Sequence, residues 1–71
     1  MSGSIYKIIE IVGTSKNSWE EAAKTAVETA AKTLEDLRVG EVVKLDVTID
    51  ENKLTAYRAR LAVSFKYHGD K

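Results

Sequence analysis

The 71-residue sequence predicts a small α+β fold with the element order βαββ. Three observations carry that prediction. A short β-branched segment lies near the N-terminus. One capped segment places apolar residues at helical spacing. Two long segments then alternate apolar and polar residues with period two.

Residues 6–13, YKIIEIVG, are rich in β-branched side chains and too few for a stable helix, so they read as a strand. Residues 13–17 form a polar connector. Ser18 opens the helix: with Glu21 it makes an S-x-x-E capping box, in which each side chain takes an otherwise unsatisfied N–H. Glu20 and Glu21 also face the positive end of the helix dipole. Apolar residues from Trp19 through Ala22, Ala26 and Ala30 to Leu34 and Leu37 keep helical spacing. The helix is expected from Trp19 to about Asp36, roughly 27 Å at 1.5 Å per residue. Most of its apolar face is alanine, so its axis approaches closely whatever it packs on.

Residues 38–50 and 54–68 are the two long strands, with Glu51, Asn52 and Lys53 as the loop between them. In the first, Val39, Glu41, Val43, Leu45, Val47 and Ile49 share one face, apolar except for Glu41. Matching the apolar faces requires opposite residue numbers to sum to an even value, and the register that closes a three-residue loop places Asp46 opposite Arg58 and Val47 opposite Tyr57. Strands of 13–15 residues span roughly 43–50 Å, longer than the helix that must cover them. Either the sheet curls around the helix or neighbouring subunits cover the remainder, and the absence of proline from both sheet edges favours pairing between copies.

Composition narrows the function. A chain this short forms one domain, here residues 1–71 with 1–4 and 69–71 as flexible tails, and its own core is marginal. With no cysteine and one histidine, disulfides, thiolate zinc and a multi-histidine site are excluded, which leaves self-association as the means of stabilisation. Lys+Arg and Asp+Glu are both 11, so nucleic acid is not an expected partner. No apolar run approaches the roughly 20 residues of a membrane span, and residues 1–5 show no signal-peptide pattern. A soluble cytoplasmic protein is expected. No Gly-rich phosphate loop, G-x-S-x-G or H-E-x-x-H is present, and no base stands at a recognisable spacing from a nucleophile. The chain is expected not to be an enzyme.

Three charged features remain. Glu35 and Asp36 stand at the expected helix C-terminus, where the dipole disfavours acids; they are either ligands of a hard cation shared between chains or solvated acids offset by Lys32 and Arg38. Glu41 on the apolar face is either one half of an inter-subunit ion pair or still in water near the strand end. Arg58 and Arg60, with Lys44 and Lys66, make a basic stripe that either binds an anionic ligand or pairs with Asp46 across the strands. His68 reads as an exposed tail residue, and Trp19 as a packing anchor.

The opening Y-K-I-I-E-I-V-G-T-S, a helix with paired alanines, E-V-V, and then Y-R-A-R-L-A-V-S-F resemble the dodecins over roughly Tyr6 to Lys66. The resemblance implies a three-stranded antiparallel sheet wrapped around the one helix, with twelve subunits in a hollow shell. It also implies a flavin storage and sequestration role. Flavin-binding dodecins stack the isoalloxazine on a tryptophan two residues before the E-V pair and contact it with a glutamine after the tyrosine of the last strand. Those places hold Val39, followed by Gly40, and Arg58. Valine offers no π face. The sequence therefore resembles a tryptophan-less branch, some members of which are associated with calcium. This implies a non-enzymatic homo-oligomeric shell that is not a tight flavin binder, with calcium or another hard cation at subunit contacts, for which Glu35, Asp36 and Glu41 are the acids at hand. The alternative is a store for flavin or another anionic small molecule at Val39, Gly40, Lys44, Arg58 and Arg60.

Overall fold

The computed structural model describes residues 5–67 and shows the βαββ order. Strand β1 spans Tyr6–Ser15, helix α1 Trp19–Ala30, strand β2 Leu37–Asp50 and strand β3 Lys53–Lys66. The strands form one sheet in the order β1-β3-β2, with β3 antiparallel to both neighbours. β1 and β2 thus run parallel, which requires a crossover between them, and α1 supplies it. His68 and the expected tails 1–4 and 69–71 lie outside the described residues.

The helix packs on β1 and β3 and barely touches β2. The buried core is small: Ala22 and Ala26 from the helix, and Ala59, Leu61 and Val63 from β3. Contact is closest at Gly13, where an added Cβ would lie 2.1 Å from the Ala22 carbonyl oxygen and 2.8 Å from the Ala26 Cβ. The alanine face does let the helix approach the sheet, and the sheet answers with a residue that has no side chain.

The helix is shorter than expected. It ends at Ala30, and the chain tightens through hydrogen bonds from Lys32 N to Thr29 O and Thr33 N to Ala30 O, the i→i−3 pattern of a 3₁₀ turn. Asp36 then takes φ 60°, a left-handed conformation that aspartate tolerates, and its carbonyl accepts from Lys66 N at 3.2 Å. Leu37, expected on the helix, instead begins β2 opposite Phe65 and packs against the core. Pairing with β3 outweighs the helical propensity of residues 31–36. β1 runs two residues beyond its expected end, because Thr14 and Ser15 continue the pairing with Arg58 and Tyr57.

The expected register holds in the middle of the hairpin, where Asp46 faces Arg58 and Val47 faces Tyr57. It shifts on either side. The loop is two residues and not the expected three, because Lys53 already pairs with Asp50: Glu51 and Asn52 take φ 52° and 64°, which suits the right-handed twist of a hairpin. Thr55 is then an extra residue in β3, with its Oγ1 donating to Thr48 O at 3.2 Å. Further shifts leave Arg38 and Val43 as extra residues in β2. Each bulge reverses which face the following residues occupy. Upstream of Val43, the residues on the helix side of β2 are therefore Val42, Gly40 and Leu37, opposite Leu61, Val63 and Phe65.

One chain leaves much of this sheet bare. Twelve helical residues reach about 18 Å, against about 46 Å for a 14-residue strand. Val42 and Leu45, on the helix side of β2, remain 47% and 49% exposed. The radius of gyration is 14.8 Å, whereas a compact chain of this length would have about 11 Å.

Candidate functional site

Residues of β3 that alternate with the buried Ala59, Leu61 and Val63 point away from the helix. Pairing on both sides of β3 extends this outer face into rows across all three strands. Thr14, Arg58 and Asp46 form one row, and Val12, Arg60 and Lys44 the next. Glu10, Ala62 and Glu41 follow, and then Ile8, Ser64 and Val39.

Asp46 and Arg58 make a two-pronged ion pair, with Nε to Oδ1 at 2.7 Å and Nη2 to Oδ2 at 2.9 Å. The hydrogen bond from Arg58, helped by its charge and those of Lys44 and Arg60, holds the Asp46 carboxyl below its ordinary range, and Asp46 in turn raises the Arg58 guanidinium. Because the folded pKa of Asp46 is depressed, the stabilisation is present above its unfolded value of about 3.9 and is lost as pH falls through the folded one. The thermal midpoint of wild type should therefore exceed that of Asp46→Asn by a constant margin above about pH 5 and lose the margin toward about pH 2. Thermal melts of both proteins across that range check this.

The backbone of the same residue is held from the helix side. Trp19 Nε1 donates to the Asp46 carbonyl oxygen at 3.0 Å, and its ring meets Tyr57 edge-on at 5.1 Å between centroids. Trp19 is thus the anchor expected of it, fixing the hairpin where the basic stripe begins. The capping box forms by half. Ser18 Oγ accepts from Glu21 N at 3.0 Å, but the Glu21 carboxylate accepts from Ser15 Oγ and Asn17 Nδ2 instead of the cap N–H. Those two bonds lower its pKa and tie the end of β1 to the start of α1.

The other residues singled out above are distributed as follows. Lys44 and Arg60 are exposed direct neighbours across the strands. Val39 is 62% exposed on the outer face, and its carbonyl accepts from Ser64 Oγ at 3.5 Å. Gly40 is not on that face: a Cβ there would point to Leu61 and Val27, on the helix side. Glu41 is not on the apolar face, since the bulge at Val43 turns it outward opposite Ala62. Glu35 and Asp36 are not at the helix C-terminus but in the connector beyond it, where Asp36 lies 4.0 Å from Arg38. Among the described residues, no three His, Cys, Asp or Glu side chains gather as a metal group. A hard cation takes six to eight oxygen ligands, so these carboxylates fit one only if several copies contribute. Glu10, which sequence reasoning passed over, shares the row of Glu41. Its alternation with Ile9 and Ile11 was the available signal, but its face follows only from pairing with β3.

No helix among the described residues is long and apolar enough to cross a membrane. The sequence pattern of the dodecin family matches residues 5–68. Calcium dodecin of Mycobacterium tuberculosis is 46% identical over 63 residues, 89% of this chain and 89% of that protein. Its crystal structure, described as that of a calcium-chelating immunodominant antigen with a novel calcium-binding site, superposes with a TM-score of 0.82 at 43% identity, covering 96% of this chain and 97% of the other. Dodecin of Thermus thermophilus is 39% identical over 64 residues, 90% of this chain and 93% of that protein. With the βαββ order, the closely seated alanine helix and these likenesses together, the chain belongs to the dodecin family.

Proposed function

We propose that the chain is a non-enzymatic, cytoplasmic shell protein of twelve copies that holds hard cations, calcium first among them, where subunits meet, and is not a tight flavin binder. The bare helix side of β2 carries the assembly part of this reading: Val42 and Leu45 are half exposed in one chain, and neighbouring copies are the cover that a shell provides. The 46% identity to a calcium dodecin supports the cation. Glu35, Asp36 and Glu41 are exposed carboxylates that separate copies would have to combine. Val39, where flavin-binding relatives are expected to stack the ring on tryptophan, has no π system to offer.

A second reading, storage of an anionic small molecule near Val39, Lys44, Arg58 and Arg60, is favoured by one observation. Lys44 and Arg60 are adjacent, while the neighbouring Asp46 is taken by Arg58.

Native mass spectrometry of freshly purified protein, followed by riboflavin titration and chelation, tests these readings. The expected result is a twelve-subunit mass carrying ions but no flavin, with a chelator lowering the thermal midpoint or breaking the assembly. Sub-micromolar quenching of riboflavin would overturn the flavin claim. A chelator that changes neither midpoint nor mass would overturn the structural cation.

A further inference from the structure

On the outer face Lys44 and Arg60 stand directly opposite each other, and both are exposed. Like charges opposed across strands repel, and the chain sets nothing of opposite sign between them. Asp46, in the row on one side, is already bidentate with Arg58. Glu10 and Glu41, in the row on the other side, flank Ala62 and lie about 7 Å further along the strands. Among the described residues neither Lys44 nor Arg60 makes a salt bridge. Their field nevertheless reaches the next row: the Asp46 carboxyl is held down first by the hydrogen bond from Arg58 and then also by the charges of Lys44 and Arg60.

We propose that Lys44 and Arg60 together form a site for a dianionic phosphate group, either free phosphate or the phosphate end of a small molecule. The proposal rests on the second reading above, storage of an anionic small molecule, and names the group that is recognised. Residues opposed across strands have Cβ atoms about 5 Å apart, so two long side chains can converge on one point above the sheet. The Arg60 guanidinium is a planar fork that takes two oxygens, and the Lys44 ammonium is a point charge that takes a third. A single carboxylate has two oxygens and one charge, and leaves one cation unmatched. A phosphate dianion has three oxygens and matches both. Val12 completes the row on β1, where its half-exposed side chain adds an apolar flank and no competing polar group. Glu41 takes no part, so the site is independent of any cation held by the acids.

Phosphorus NMR and calorimetric titrations of the full chain test it, with inorganic phosphate, glycerol phosphate and, as the carboxylate control, succinate. Both phosphates should bind saturably and more tightly than succinate. Lys44→Gln and Arg60→Gln should each weaken phosphate about tenfold or more. Arg60→Lys keeps the charge but loses the fork and should fall between. Lys24→Gln removes the same charge from α1 and should change nothing. Circular dichroism confirms that each variant folds. Affinity for glycerol phosphate should also fall below about pH 6, where the dianion takes up a proton. Tighter binding of the ester supports the site and assigns it to a phosphorylated small molecule; binding of inorganic phosphate alone supports it and assigns it to the free ion. Succinate bound as tightly as phosphate, with the same losses in the variants, overturns the phosphate site and leaves the anion store standing. Phosphate binding that both Gln variants leave intact, or that Lys24→Gln weakens as much, also overturns the site. If none of the three binds, the site and the storage reading fall together.

Discussion

Gly13→Ala is expected to leave no stably folded subunit. The added methyl carbon would sit 2.1 Å from the Ala22 carbonyl oxygen and 2.8 Å from the Ala26 Cβ. The first obstacle is helix backbone, which no rotamer change can move aside. Relief requires lifting α1 off the sheet, and Ala22 and Ala26 are two of the five buried hydrophobic residues among those described. Overpacking typically costs about 1–3 kcal/mol, and more when backbone must shift. A core this small has little stability to lose. Gly40→Ala is the internal control. Its methyl would meet Leu61 Cδ2 at 3.6 Å and Val27 Cγ2 at 3.8 Å, ordinary packing distances. Removing glycine's backbone entropy cost from a strand then predicts a gain of about 0.5–1 kcal/mol. Thermal and urea unfolding of the two variants should move in opposite directions. A Gly13→Ala protein with a wild-type melt would show that the helix does not seat on β1 as closely as described.

Leu45→Lys should take the assembly apart. Leu45 lies on the helix side of β2 opposite the buried Ala59, yet half of it is bare because α1 packs on β1 and β3 and barely touches β2. Covering a leucine fully stabilises by about 1.5–3 kcal/mol, and a closed shell collects roughly the bare half of that once per copy. A lysine there leaves an unpaired ammonium wherever a neighbour packs, which costs more than the lost contact. Within one chain the position is open enough to be tolerated, so the far-ultraviolet spectrum should persist while the native mass falls. Leu45→Ala, a milder change, should lower the thermal midpoint of the assembly without dispersing it. If the mass of Leu45→Lys equals that of wild type, subunits associate through another surface.

Comparing these two positions shows what a sequence makes legible. The alanine spacing in α1 announces a close approach, but that Gly13 is the opposing surface, and not merely the end of β1 and the start of a polar connector, follows only from the packing of α1 on β1. The span of the long strands against the helix already implies uncovered sheet. The Asp46–Arg58 pair follows from alternation together with an expected three-residue loop, and it holds because the two-residue loop and the extra residue Thr55 together restore the same register. What did not follow was the outer face upstream of Val43. Gly40 and Glu41 exchange the faces that simple alternation assigns them. The bulge that exchanges them has no signature in V-V-K, since valine and lysine suit a bulged strand as well as a regular one. Glu10 was passed over for a related reason: its row exists only once β1 is laid beside β3, through pairs as far apart in sequence as Glu10 and Ala62.

Local chemistry is what the sequence by itself determined. Ser18 begins the helix because its hydroxyl takes the Glu21 N–H. Glu51 and Asn52 turn the hairpin between strands whose β-branched and alternating composition already marks them. The resemblance to dodecins is written in the same local segments. Tertiary structure alone decided where α1 stops, because Leu37 gains more from pairing with Phe65 and packing on the core than residues 31–36 gain from another helical turn. It alone decided which charges share a face, because period-two alternation keeps no memory across a bulge and one extra residue inverts every side chain beyond it.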